Sequence, residues 1–339
     1  MIRAFHKSLI IPGTLFFLGL MTLTSCHTDE EFMGAEIVKA SDNFKVTSGL
    51  TIVEDSPNFT IGQYTTLSLQ YNERVTTTVK YTGCESGATR AYTFVDDHID
   101  SSNVNWTGGH DGVFFFREGE KVKVSVSFLG SSTTFLDTLE VGRANPFTNE
   151  FTKPLADGDF EDPIGWPNWS SYAGTLSDII QPTPSVQGTG AWKFEFNATT
   201  TGYQGGMDNE SGGFYNLSSD PDSVWFNIYL FGEGDPSARI VIEFKEADAP
   251  NTSNQNGRDD GVQIIQDLGH EGWQLFSFKY SSIPFSTVAA FGGGGNKKYE
   301  PNRIVRTAFS CDVTETGNKR VIYDFPVFTL GGPFDPSKF

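Results

Sequence analysis

From Lys121 to Phe128 the chain reads Lys-Val-Lys-Val-Ser-Val-Ser-Phe, a strict alternation of polar and apolar side chains. A β-strand, whose side chains point to opposite faces with a period of two, turns that pattern into one buried and one wetted face. Short runs of β-branched and aromatic residues recur at 44–46, 65–71, 76–81, 91–95, 113–116 and 135–141, each bounded by turn residues. With 36 glycines and 16 prolines among 339 residues, breakers are too frequent for a mostly helical protein. The expected fold is all-β. Thirty Phe, eleven Tyr and six Trp suit such a fold, because aromatic rings favour pleated, half-buried surfaces and also make stacking sites.

The organisation follows from the spacing of these runs. Seven strands within residues 42–143 match an Ig-like or PKD-like sandwich. Residues 144–156 carry Pro146 and Pro154, lack alternation, and read as a linker. From 157 to 339 the runs lengthen and grow richer in aromatics, at 191–196, 224–231, 239–246, 273–280, 303–311 and 321–330, which predicts a second, larger sandwich. No repeat of 20 to 50 residues is visible. The 42 acidic and 24 basic side chains leave a net charge of −18, which repels phosphate backbones, so nucleic acid is not an expected partner.

The amino terminus reads as an address. Arg3 and Lys7 precede an apolar run from Leu9 to Leu23, too short to span a bilayer comfortably but suited to a secretory signal, so residues 1–25 are expected to be removed. Leu23-Thr24-Ser25-Cys26 resembles the bacterial lipobox, which implies cleavage before Cys26 and its acylation. The alternative is a plain signal peptide with a chance cysteine. His27-Thr28-Asp29-Glu30-Glu31 resembles the acidic export signal of Bacteroidota surface lipoproteins, and residues 26–41 then form an acidic tether. The implied location is the outer face of the cell outer membrane, held by a lipid anchor that is stable when more than one acyl chain is present. Cys84 and Cys311 fall in different predicted sandwiches and read as two buried free thiols rather than a disulfide across the contact.

Several motifs carry a further resemblance. Ser86-Gly87-Ala88, Asn105-Trp106-Thr107-Gly108 and Phe115-Phe116-Arg117-Glu118-Gly119-Glu120 resemble the Ig-like amino-terminal domains of Bacteroidota surface lipoproteins, implying a spacer. Asp157-Gly158-Asp159-Phe160-Glu161, Gly272-Trp273-Gln274 and Tyr323-Asp324-Phe325 together resemble jelly-roll carbohydrate-binding modules over residues 157–334. That likeness implies a jelly-roll β-sandwich and a structural Ca²⁺ shared by Asp159, Glu161 and Asp324. Ca²⁺ takes six to eight oxygens, which makes the proposal physically reasonable; the alternative is ordinary strand-end acids in water.

Glycan binding needs flat apolar faces for the C–H side of a sugar ring and polar groups for its hydroxyls. Parity divides residues 224–231 into a core set, Val224, Phe226, Ile228 and Leu230, and an open set, Trp225, Asn227, Tyr229 and Phe231. In the next run Ile240, Ile242 and Phe244 face the core and Arg239, Val241, Glu243 and Lys245 the same open side. Trp166, Trp169 and Tyr172 crowd one loop, and Tyr203 lies in a Gly-rich stretch. These rings either touch ligand or plug the end of the sandwich. Trp192 and Trp273 open alternating runs and read as core, and Trp106 reads as covering a sandwich end rather than as a sugar platform. Residues 248–260, with Arg258, either bind hydroxyls or form a solvated hairpin loop.

Catalytic signatures fail. The nearest match to the Glu-x-Asp-x-x-Glu strand of laminarinase-like jelly-roll hydrolases, Glu246-Ala247-Asp248-Ala249-Pro250-Asn251, ends in Asn and contains a proline. The five histidines form no HxH or HExxH pair, there is no G-x-S-x-G, and Gly292 to Gly295 lack the Lys-Ser/Thr of a phosphate loop. The sequence therefore points to a non-catalytic surface lipoprotein that binds polysaccharide, with a neutral β-glucan preferred, and hands it to a neighbouring outer-membrane transporter. A glycan-cleaving jelly-roll enzyme and a surface adhesin are the rivals.

Overall fold

The computed structural model describes residues 36–161, 166, 168–169, 185–210, 212–248, 258–287 and 295–339. The expected leader, Cys26 and the acidic run after it lie outside the described residues, as does Tyr172. Among the described residues no helix is long and apolar enough to cross a membrane.

The first sheet contains β1 (Thr51–Val53), β2 (Thr66–Gly83), β3 (Thr89–Ile99), β4 (Lys121–Phe128) and β5 (Thr134–Glu140), in the order β1-β2-β4-β5 with β3 also on β2. The alternation in β4 divides as expected: Val122, Val124, Val126 and Phe128 are buried while Lys121 and Lys123 are exposed. The runs at 65–71 and 76–81 are one bent strand, β2, whose pairing with β3 slips between Gln70 and Val75. Such a slip lets one strand serve two layers, which the sequence reads as two strands. The run at 44–46 contributes a single bridge, Val46 to Tyr71, and 113–116 is not a strand. Trp106 is fully buried at the centre of this sandwich, stacked on Tyr81 at 4.6 Å, with its indole N–H donating to the Gly109 carbonyl at 2.9 Å.

The second sheet comprises β6 (Thr152–Pro154), β7 (Asn168–Trp169), β8 (Trp192–Ala198), β9 (Gly202–Glu210), β10 (Val224–Ala247), β11 (Arg258–Lys279), β12 (Ile304–Val313) and β13 (Gly317–Leu330). Every pairing is antiparallel. β10 and β11 are long enough to belong to two layers. The first half of β10, from Val224 to Phe231, pairs with β13, which also carries β8 and β6. Its second half, from Ala238 to Glu246, pairs with β12, followed by β9 and β7. Register shifts around Glu233 and Asp235 mark the bend. Gly232 is required there, because a Cβ would sit 2.1 Å from the His270 carbonyl oxygen.

Between the layers lies an aromatic core. Phe226 and Phe244, from opposite ends of β10, meet at 4.8 Å, and Phe309 of β12 stacks on Tyr323 of β13 at 5.0 Å. Trp192 joins this core as the alternation predicts; Trp273 is instead half-buried outside it. Cys311 is buried and Cys84 exposed, and both are free thiols.

A further apolar cluster joins the two sandwiches. Phe115 and Phe147 pack on Tyr229, Phe325 and Val327 together with Phe334 of the carboxyl tail. The Phe115 amide donates to the Val186 carbonyl at 2.9 Å, and the Phe334 amide donates to the Asn227 side-chain oxygen at 2.9 Å. The run at 113–116 thus spends its aromatics on long-range packing instead of strand pairing.

Candidate functional site

The bend in β10 decides where a site can lie. Parity correctly separates core from non-core residues in both halves, but the halves belong to opposite layers, so their outward faces look in opposite directions. The face of the first layer is covered. Asn227 is fully buried, donating to the Val327 carbonyl and the Thr329 hydroxyl, and Tyr229 is 1% exposed within the inter-sandwich cluster. Both were expected on an open face, and neither offers a surface to ligand. Trp166 is corrected in the same way. Its ring stacks on Phe309 at 5.4 Å and its indole N–H donates to the Ala156 carbonyl at 2.9 Å, so it closes the core.

The second layer carries the remaining candidates. Cross-strand register sets Glu243 of β10 opposite Gln263 of β11 and Ala308 of β12, and Ala308 opposite Asp208 of β9. Residues paired this way share a face of the sheet. The next row away from Ala247 contains Ile265, Val241, Ser310 and Gly206, with the backbone of Trp169 paired to Gly206 at the edge. Beyond it lie Asp267, Arg239, Asp312 and Tyr203. Glu243 and Tyr203, predicted from sequence, therefore lie on one face of the sheet, Glu243 buried and Tyr203 reached across a register shift between Cys311 and Asp312. Arg258 opens β11 opposite Ala247, and its side chain, like that of Trp169, lies outside the described residues.

This face is a lattice of ion pairs and hydrogen bonds. Lys245 reaches Glu243 at 3.0 Å, and the Gln263 side-chain amide donates to the other Glu243 oxygen at 2.9 Å. The Arg239 Nε donates to Asp312 at 2.9 Å, and Arg306 pairs with Asp208. The Ser310 hydroxyl donates to the Val241 carbonyl. Glu243 and Lys245 are almost fully buried, whereas Arg239, Arg306 and Asp312 keep between 17% and 30% of their side chains exposed. Sequence reasoning missed Asp312, Arg306 and Asp208, because their partners become visible only through register across three strands. Fixed donors and acceptors beside a tyrosine, with charges already neutralised in pairs, can hydrogen-bond neutral hydroxyls without burying a lone charge.

At the β10 end of the same layer, Glu246 is fully buried. Burial pushes its carboxyl up to about 7 against the opposing hydrogen bonds from the Tyr280 hydroxyl and the Glu300 amide, with the charges of Glu300 and Asp260 adding to the rise. A cavity of about 680 Å³ at the bend is lined by Glu195, Glu233, Asp235, Lys319 and Arg320. Its charges are spent on one another: Lys319 binds Asp235 at 2.7 Å and holds that carboxyl down to about 2, and Arg320 pairs with Glu233.

The three carboxylates expected to hold Ca²⁺ are neighbours in part. Burial is the main cause of the raised proton affinity of both Asp159 and Asp324, and the Glu161 charge adds to it at each, while the Glu161 amide opposes the rise at Asp159. Among the described residues the group of three ligand atoms within 4.8 Å of one another is Asp96, Asp97 and His98 on β3, not this trio. Glu161 is engaged by the Thr189 and Gly190 amides and the Thr189 hydroxyl. Asp324 accepts from the Val186 and Gln187 amides through one oxygen, while its other oxygen and the side-chain oxygen of Gln187 are buried without a partner. Two buried acceptors without a partner are of the oxygen type that a hard cation takes, and Gln187 is a residue that sequence reading did not single out.

No family model matches the chain, and no curated protein matches it. Among solved structures, the family 11 carbohydrate-binding module from Clostridium thermocellum, in complex with a β-1,3-1,4-mixed-linked tetrasaccharide, is 16% identical. The match covers 55% of this chain and 100% of that one with a TM-score of 0.38. The family 30 module of a cellulosomal cellulase from the same organism is 13% identical, covering 53% and 97% with a TM-score of 0.37. An arabinose-bound α-L-arabinofuranosidase is 11% identical over 53% of this chain and 26% of that chain, with a TM-score of 0.33. At these identities and TM-scores the likenesses carry no argument about ligand, which rests on the site itself.

Proposed function

We propose that this protein is a non-catalytic polysaccharide-binding protein that holds a neutral glycan, with β-glucan as the favoured class, on the outward face of the β11-β10-β12-β9 layer. The observation that carries the reading is the row Tyr203, Asp312, Arg239 beside the Glu243, Lys245 and Gln263 network: one aromatic ring next to donors and acceptors fixed in place before ligand arrives. A ring stack contributes about 0.5–1.5 kcal/mol and each hydrogen bond to a charged group about 1.5–3 kcal/mol. Such contacts, less the cost of ordering a flexible chain, suit micromolar to millimolar affinity.

Catalysis is disfavoured by the same geometry. Glu243 and Asp208 share a row two strands apart, a spacing that two glycosidase carboxylates could use. Each is tied to a cation, Lys245 or Arg306, and a cation beside a carboxylate opposes the raised proton affinity that a general acid needs.

The proposal extends to the ends of the molecule. Acylated Cys26 would tether the chain to the outer membrane, surface-exposed, and the bound glycan would pass to a neighbouring transporter. A structural Ca²⁺ would sit at Asp324 and Gln187, with Glu161 and Asp159 nearby. Retardation of the full chain in gels containing mixed-linkage β-glucan, xylan, mannan or alginate tests the binding reading, and reducing-end release from the same polymers tests the enzymatic rival.

A further inference from the structure

Where β3 ends, in the first sandwich, the chain reads Asp96-Asp97-His98-Ile99-Asp100. Successive residues of a regular strand point to opposite faces, so adjacent side chains do not ordinarily meet. Here the ladder is interrupted: pairing with β2 passes from Gln70–His98 to Val75–Asp96 and skips Asp97. One carboxylate oxygen each from Asp96 and Asp97 and a ring nitrogen of His98 lie within 4.8 Å of one another. The group is at the surface. The three side chains are 35%, 58% and 37% exposed, so an ion in solvent can reach them.

The imidazole is held from both ends. Its Nδ1 lies 2.7 Å from Asp97 Oδ1 and 3.3 Å from Asp96 Oδ1, and its Nε2 lies 3.3 Å from Asp100 Oδ2. The other Asp100 oxygen accepts from the Ser102 amide and hydroxyl, which fixes that carboxylate. The His98 carbonyl accepts from the Tyr71 hydroxyl and the Asn103 side-chain amide, which fixes the backbone. Metal-bound histidines commonly donate the ring N–H that is not on the metal to a carboxylate, which sets the tautomer and the ring orientation. Asp100 stands in that relation to Nε2, and Nδ1 then faces the Asp96 and Asp97 oxygens. Among the described residues, every ion pair of Asp96, Asp97 and Asp100 is with His98. One imidazolium among three carboxylates leaves an excess of negative charge, which a divalent cation offsets better than a proton does.

We propose that Asp96, Asp97 and His98 form a zinc site, with Nδ1 and one oxygen of each carboxylate as ligands, Asp100 orienting the ring through Nε2–H, and water in the fourth position. A tetrahedral Zn²⁺ with bonds of about 2.0–2.2 Å sets its ligand atoms about 3.4 Å apart. The Asp96 oxygen already stands near that spacing from Nδ1, and the exposed Asp97 carboxylate reaches it by rotating outward by about 0.7 Å. The proton on Nδ1 leaves to solvent as the metal takes that lone pair, and Nε2 keeps its own. Imidazole beside carboxylates suits zinc, whereas Ca²⁺ and Mg²⁺ prefer shells made of oxygen alone. The site is separate from the carboxylates around Asp324 and does not depend on glycan binding at the β11-β10-β12-β9 face.

The test uses the full chain with ¹⁵N-labelled histidine, freed of metal by chelator and then of chelator, the His98 signals being assigned by their loss in His98→Gln. Zinc chloride is titrated to about 1 mM, a range that covers micromolar affinity. The expected result is a saturable move of the His98 Nδ1 resonance to a metal-bound position while Nε2 keeps its proton. Calcium and magnesium chloride over the same range should not produce it. Asp97→Asn should weaken the zinc response about tenfold or more and should melt like the parent chain, because its side chain is exposed. Asp96→Asn carries the same expectation and decides the matter if Asp97→Asn does not fold. His27→Gln, which removes the histidine beside the acidic run after Cys26, should leave the His98 response unchanged. No shift at His98, a shift that grows linearly without saturating, an equal shift with calcium, an undiminished response in either folded Asp→Asn variant, or a response lost in His27→Gln would overturn the proposal.

Discussion

The ring of Tyr229 on β10 meets that of Phe115 from the first sandwich edge to face, with centroids 5.7 Å apart at 79°. A contact spanning more than a hundred residues of sequence closes one face of the second sandwich and makes the first more than a spacer. Phe115 is 1% exposed. Truncating a buried Phe to Ala costs about 3–5 kcal/mol, so Phe115→Ala should lower the denaturant midpoint of the full chain by that order. A fragment starting at residue 157 should bind a hydrophobic dye that the full chain does not. Unchanged unfolding in the variant would detach the two sandwiches.

Trp166→Ala should also cost about 3–5 kcal/mol, since the ring fills the core against Phe309 and Phe160. Thermal melting checks the loss, and retardation per folded molecule should not change. A variant with normal melting and lost retardation would return Trp166 to the ligand.

Glu246 and His110 impose opposite pH dependences. The folded chain holds the Glu246 carboxyl at about 7 against an ordinary value of 4.5, so its stabilising contribution is full below pH 4.5 and is lost as pH rises through 7. It holds the His110 imidazole at about 4 against 6.5, so that contribution is full above pH 6.5 and is lost as pH falls through 4. Each shift corresponds to about 3 kcal/mol at most, and between pH 4.5 and 6.5 the two nearly cancel. Chemical denaturation across pH 4 to 8 should therefore show Glu246→Gln gaining on the parent chain as pH rises. His110→Phe should gain on it as pH falls. Parallel curves for parent and variants would contradict both assignments.

Asp324 is buried, and burial raises its carboxyl pKa well above the ordinary value despite amide hydrogen bonds from Gln187, Phe325 and Val186. In chelator, its stabilising contribution is present at low pH and is lost as pH rises. Calcium should reverse that loss by favouring the charged form. The melting temperature of the full chain at pH 7 should rise on adding Ca²⁺, and Asp324→Asn, which keeps an oxygen acceptor without the charge, should no longer respond. A Ca²⁺ response that survives in Asp324→Asn would place the ion elsewhere.

Much of this architecture was legible in the alternation of single strands. Val122 to Phe128 and the core half of 224–231 lie where parity puts them, because a strand's two faces follow from local geometry alone. What parity could not show is which way an outward face looks once β10 bends at Gly232. It also could not show that Phe115, Phe334 and Phe339 gather in one cluster with Tyr229. The Arg239–Asp312 and Arg306–Asp208 pairs were hidden for a related reason, since each joins residues tens of positions apart that only cross-strand register brings together. Trp166 stands three residues before Trp169 in the sequence, and no local pattern marks it as a ring that closes the core.

The central claim is that glycan lies across the Arg239 and Tyr203 row. Affinity electrophoresis of the full chain in mixed-linkage β-glucan, run beside Arg239→Ala and Tyr203→Ala, tests it most directly. Losing a charge-assisted hydrogen bond of about 1.5–3 kcal/mol should weaken retardation about tenfold or more in Arg239→Ala. Losing a ring stack should weaken it about two- to tenfold in Tyr203→Ala. Both variants should melt close to the parent. Full retardation in both variants, or a parent chain that migrates freely through every neutral glycan tried, would contradict the claim.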